Sequence, residues 1–89
     1  MNQYLITYDL NNKSIKDYGS LFVALKSIGP WWHYLESTWI IKTNLTSAQI
    51  WDYLAKHITT KDRLLIVRID ARDKWGWLPQ EAWHWLDSN

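Results

Sequence analysis

WWHYLESTWIIKTNLTSAQI, residues 31–50, is the stretch on which the fold turns. Its first part holds two runs rich in aromatic and β-branched residues, WWHYLE (31–36) and STWIIKT (37–43), which read most simply as a β-hairpin. The pattern then changes to a helix start. Thr46 stands as an N-cap with Gln49 three residues later, and Leu45 and Ile50 occupy the positions of a hydrophobic staple. The helix that follows is expected to bury Ile50, Trp51, Leu54 and Ile58.

Working outward, QYLITYDL (3–10) reads as a strand and NNKS as a polar turn. From Asp17, the residues Tyr18, Leu21, Phe22, Leu25 and Ile28 recur at 3 and 4 spacing along one face of a helix. Gly29, which tolerates a left-handed backbone, and Pro30, which cannot continue a helix, stop it. Beyond the second helix, TTKD turns the chain and RLLIVRID (63–70) is a strand; Pro79 then suits the first turn of a terminal helix over about 79–87. The order is β-α-β-β-α-β plus a tail. It predicts an α+β fold of the ferredoxin-like, split βαβ kind, with an antiparallel sheet of order 4-1-3-2 and both helices on one face. Residues 1–89 form a single domain in this reading, with a core over about 3–70 and a covering tail over about 71–89.

The predicted sheet is apolar on both faces. The last strand carries Leu65, Val67 and Ile69 on one side and Leu64 and Ile66 on the other, and the first sets Tyr4, Ile6, Tyr8 and Leu10 against Leu5. A face opposite two helices is ordinarily polar, so this one wants cover. The candidate is WGWLPQEAWHWL (75–86), with four of the chain's eight tryptophans. Leu78, Ala82 and Leu86, with Trp85 adjacent, make an apolar stripe of helical spacing. Trp75, Trp77, Leu78, Trp83, Trp85 and Leu86 are therefore read as sheet cover or interface, on this subunit or a symmetric partner. The competing reading is base stacking by Trp75 or Trp77. Membrane insertion is disfavoured, because the helix is short and has no basic face.

Ten basic and nine acidic residues leave a net charge of +1, so charge alone does not announce a nucleic-acid binder. With no cysteine there is no disulfide or thiolate metal site, which fits a reducing cytoplasm. No run approaches the roughly 18 apolar residues of a membrane span, and the start lacks the basic and apolar regions of a signal peptide. His33, His57 and His84 fall on three different elements. Gly-rich phosphate loops and G-x-S-x-G elbows are absent.

One constellation remains. In a 4-1-3-2 sheet the end of the first strand lies near the starts of the third and fourth. Tyr8 and Asp9 then approach Glu36, Ser37, Asp62 and Arg63 at one edge. Carboxylates there could hold Mg²⁺ and activate water against a phosphodiester. The plainer alternatives are that Asp9 hydrogen-bonds its own turn, DLNN, or pairs with Arg63.

The residues also carry a resemblance. Y-D-L closing the first strand, the hairpin around E-S-T-W-I-I and the helix start N-L-T-S-A-Q-I are similar to the small CRISPR-associated protein of spacer acquisition and to the virulence-associated protein D family. The whole chain, through L-E-S-T-W-I-I-K-T and G-W-L-P-Q-E-A-W-H-W-L, resembles small bacterial proteins labelled SinR-like, although the helix-turn-helix that label suggests is not here. The CRISPR-associated resemblance spans about residues 3–70. It implies a homodimer and, in some members, metal-dependent cleavage of RNA or DNA, for which Mg²⁺ or Mn²⁺ would be the ion. Asp9 matches that family's metal-binding aspartate and Ser37 a serine of its hairpin, which would make them the metal ligand and a second catalytic residue. In a nucleic-acid-processing dimer Lys13, Lys16, Arg63 and Arg68 would then contact phosphate. That family tends to carry arginines where this chain has only Lys13 and Lys16, and the Trp-rich tail replaces its exchanged C-terminal strand. A non-catalytic dimer or adaptor that binds a protein partner through the tail is the alternative.

Overall fold

The structure, a computed structural model, describes residues 1–11 and 15–88, and of residues 15–17 the backbone only. Its elements are β1 (Asn2–Asp9), α1 (Ile15–Ile28), β2 (Trp31–Leu35), β3 (Thr38–Thr43), α2 (Ser47–Leu54) with a 3₁₀ turn (Ala55–His57), β4 (Arg63–Ile69) and α3 (Gln80–Asp87). The strands form one sheet in the order β2-β3-β1-β4, every neighbouring pair antiparallel. This is 4-1-3-2 read from the other edge, as the element order predicts. Among the described residues no helix is long and apolar enough to cross a membrane.

Alternation along the strands sorts the side chains into two cores. On one face Tyr4, Ile6 and Tyr8 of β1 and Trp39 and Ile41 of β3 are buried with Leu21 and Leu25 of α1 and Ile50 and Leu54 of α2. Leu64 and Ile66 of β4 pack against this cluster. On the other face Trp32 of β2 and Ile40 of β3 are buried against Ala82 and Leu86 of α3, with Ile69, Leu78, Trp83 and Trp85 around them. The tail therefore covers its own sheet. The buried Trp32 Nε1 donates to the Ala82 carbonyl at 3.2 Å, so the indole seats the helix as well as filling space.

The start of α2 is built as its sequence predicts. The Gln49 amide donates to Thr46 Oγ1 at 3.2 Å, and the Thr46 amide donates to Gln49 Oε1 at 2.9 Å. Leu45 packs into the same cluster as Ile50. Such a cap contributes about 1 kcal/mol. Two expectations need correction. Trp51 is 43% exposed, because this short helix turns only its Ile50 and Leu54 stripe inward; Ile58 reaches the core from beyond the 3₁₀ turn. Gly29 has no positive φ. What it needs is the absence of a side chain, since a Cβ there would collide with the Lys42 carbonyl, and the Lys42 amide donates to the Pro30 carbonyl at 2.9 Å.

Lys42 is the unexpected member of the second core. It is only 5% exposed, yet its ammonium donates to the Trp85 carbonyl, the Ser88 carbonyl and Ser88 Oγ, and lies 4.1 Å from the Trp85 ring centroid. A cation at the C-terminal carbonyls of α3 meets the negative end of the helix dipole. Burial pushes its pKa below the usual lysine value. Ending the chain after Arg72 would strip the cover from Trp32, Ile40 and Lys42 together. Such a truncation is expected to be insoluble, or to melt far below the full chain. Equal melting temperatures by circular dichroism would contradict the role given to α3.

Candidate functional site

Antiparallel pairing brings the end of β1 to the starts of β3 and β4. Thr7 faces Thr38 on one side and Leu65 on the other, and Asp9 faces Arg63. Ser37 joins them through its backbone: its carbonyl accepts from the Tyr8 amide and from Thr7 Oγ1, both at 3.1 Å. Its exposed hydroxyl makes no hydrogen bond among the described residues. A shallow cavity of about 330 Å³ is lined by Thr7, Tyr8, Asp9, Arg63, Leu64 and Leu65.

Glu36, in the turn between β2 and β3, is exposed and makes no hydrogen bond or ion pair among the described residues. The other two carboxylates of this edge have different tasks. Asp62 is 6% exposed and holds loops together: Oδ1 accepts from the Asn11 amide at 2.9 Å and Oδ2 from the Thr59 amide at 2.8 Å. Asp9 is exposed, and its carboxylate has neither a hydrogen bond nor an ion pair among the described residues. Arg63, its cross-strand neighbour, instead donates from Nη1 to the Thr60 and Asp62 carbonyls at 3.2 and 3.1 Å. Both plainer readings of Asp9 thus go to other groups. The Asn11 amide at the turn is held by Asp62, and the guanidinium of Arg63 turns to main-chain carbonyls.

On the face of the sheet opposite Asp9, the neighbouring packing is aromatic. Tyr8 is 7% exposed, and its hydroxyl oxygen accepts from Trp39 Nε1 at 3.0 Å. His33 stacks on Trp39 at 4.1 Å between centroids, and its Nδ1 donates to the Thr38 carbonyl at 3.2 Å. Burial raises the Tyr8 pKa above 10.0, partly offset by the bond from Trp39, with Tyr18 and Glu36 adding to the rise.

The remaining predicted contacts are dispersed. Arg63 and Arg68 stand five residues apart on β4, roughly 17 Å along the strand, and on opposite faces. Arg68 lines a different cavity of about 470 Å³, with Gln3 and Arg72 among its other walls. Lys13 and the side chain of Lys16 lie outside the described residues. Leu78, Trp83, Trp85 and Leu86 pack in the second core, whereas Trp75 and Trp77 are 99% and 100% exposed. His57 Nδ1 shares a hydrogen bond with Ser20 Oγ at 2.7 Å, far from Asp9 in the chain, and His84 is on α3. Among the described residues no group of three or more His, Cys, Asp or Glu side chains is placed to hold a metal ion. Asp62 and Lys42 are the polar groups that the sequence did not single out for these roles. The one signal for Lys42 was its alternation with Ile40 on the face that α3 covers.

No family model and no curated protein matches the chain. Among solved structures, a hypothetical protein, TT1823 from Thermus thermophilus, is similar in fold. It has a TM-score of 0.63 at 19% identity, over 88% of this chain and 94% of that one.

The Tyr8 and Trp39 bond yields a test. Tyr8→Phe leaves a buried indole N–H without its acceptor and is expected to cost about 1–3 kcal/mol in chemical denaturation. Because the folded-state pKa is raised, Tyr8 contributes stability that is full below pH 10 and is lost as pH rises beyond it. The alkaline fall in stability should be shallower in the variant. An unchanged stability at neutral pH would contradict the assignment.

Proposed function

We propose that this chain is a ferredoxin-like, dimeric protein that binds nucleic acid and cleaves it with the help of Mg²⁺ or Mn²⁺. The observation that carries the reading is the carboxylate of Asp9, exposed and without a partner among the described residues at the mouth of a cavity it shares with Arg63. The order of elements and the Y-D-L and E-S-T-W-I-I motifs support it by resemblance.

At this edge Asp62 is engaged, while Asp9 and Glu36, the latter in the turn between β2 and β3, have carboxylates without a hydrogen bond or ion pair among the described residues; of the two, only Asp9 stands on a strand. Mg²⁺ takes one or two carboxylates and several waters, so Asp9 fits that ion when a second copy contributes its own Asp9 across a two-fold axis. Bound there, the ion would supply a water acidified for attack on phosphorus. Each chain's part is to present its Asp9 carboxylate at the end of a paired strand, with the exposed Ser37 hydroxyl nearby. Arg63, with the lysines that follow Asp9 in the sequence, would meet the phosphate backbone. Arg68, at the other end and face of β4, is outside this set. The cysteine-free composition suits work in the cytoplasm.

A second reading, a non-catalytic dimeric adaptor for a protein partner, is favoured by the full exposure of Trp75 and Trp77. Tryptophan is enriched among interface residues that dominate binding energy, and the net charge of +1 gives little pull on nucleic acid.

Incubating labelled single- and double-stranded RNA and DNA with Mg²⁺, Mn²⁺ or EDTA separates the two. The expected outcome is metal-dependent cleavage, lost in Asp9→Ala with dimerisation unchanged. Neither cleavage nor salt-sensitive binding by the wild type would favour the adaptor.

A further inference from the structure

The face of the sheet opposite α1 and α2 is covered only in part. Ile40 on β3, Leu5 on β1 and Val67 on β4 form one row across it, and Thr38, Thr7 and Leu65 form the next. At the β3 end of the first row Ile40 is buried under α3. At the β4 end Val67 is 41% and Leu65 is 58% exposed. The segment that leads from β4 back to α3 carries the most exposed apolar side chains among the described residues, Trp75 and Trp77. One chain thus presents both a protruding aromatic arm and an uncovered aliphatic strip.

The charges beside the arm indicate what kind of surface it meets. Arg72 is paired with Asp70, which holds the Asp70 carboxyl down to about 2, and Lys74 Nζ is 2.7 Å from Asp87 Oδ1. Both cations next to the tryptophans are already neutralised within the chain. Phosphate would have to compete for them, whereas an apolar partner leaves them undisturbed.

We infer that this surface is completed by a second copy of the chain: two sheets pack about a two-fold axis, and the Trp75–Trp77 arm of each covers the Leu65–Val67 strip of the other. A two-fold interface is isologous and needs both complementary parts on the same chain, which is the arrangement found. Burying one tryptophan removes roughly 150–250 Å². The four arm tryptophans of two copies thus remove on the order of 600–1,000 Å², and the smaller, partly exposed strips beneath them add to it, which brings the total to about the 1,000 Å² a specific interface needs. The inference rests on the dimer of the proposed function and names the residues that make it.

Sedimentation velocity of the full chain over a micromolar concentration series tests it. Two variants are needed, Trp75→Ser with Trp77→Ser, and Leu65→Lys with Val67→Glu; both change exposed residues, and thermal melting of dilute samples verifies that each stays folded. The wild type is expected to be a dimer, with each variant weakening the dissociation constant at least tenfold. A monomeric wild type, or either variant dimerising as tightly as the wild type, overturns the inference. So does quenching of wild-type fluorescence by a single-stranded oligothymidylate that is lost with the arm tryptophans while assembly persists; that result would give the arm to base stacking. Metal-dependent cleavage by a dimer indifferent to these substitutions would sink the inference and spare the nuclease reading. An arm-dependent dimer without cleavage would do the reverse.

Discussion

A sheet with branched and aromatic side chains on both faces sets the terms for everything else in this molecule. Each strand alternates, and in β1, β3 and β4 both phases of the alternation contain apolar residues. Water on either side would be costly, at about 25 cal/mol per Å² of apolar surface. The two helices within the β-α-β-β-α-β core supply one cover. The other has to come from outside that core, and the C-terminal segment provides it over β2 and β3. An 89-residue chain without disulfides gains its second core in this way, from large aromatic side chains.

The second cover is held by polar groups as well as apolar ones. Lys42 reaches under the last turn of α3 and binds its terminal carbonyls, carrying a charge into a largely apolar place where burial lowers its pKa. Its desolvation is offset by three acceptors and the face of Trp85. A similar division of labour operates at the opposite end of the sheet. Asp62 takes the structural hydrogen bonds of the turns, and Asp9 is left with its carboxylate in solvent. That uncommitted group, at the end of a strand whose neighbours are fixed by pairing on both sides, is what the proposed chemistry rests on.

Most of the fold was legible in the sequence because its signals are local. The capping box at Thr46 and Gln49, the 3 and 4 spacing from Tyr18 to Ile28, and the Ala82 and Leu86 stripe each specify an element with neighbouring residues alone. Pairing geometry then brought Asp9, Ser37 and Arg63 to one edge, as the strand order implies. What failed to show in the sequence depends on contacts between distant residues. Trp51 looked buried by type, and only the angle of a short helix turns it outward. The need for Gly29 comes from the Lys42 carbonyl, a neighbour in space. Ser37 acts on β1 through a carbonyl, which no side-chain motif announces. Trp75 and Trp77 share composition with Trp83 and Trp85, yet they precede the helix and miss the face that its stripe covers.

The functional account depends on whether two Asp9 carboxylates meet at one ion. Titrating the full chain with Mn²⁺ by isothermal calorimetry, beside Asp9→Asn, measures this directly. The account predicts one ion bound per two chains, and its loss in the variant. One ion per chain, binding that survives Asp9→Asn, or no binding at all would contradict it.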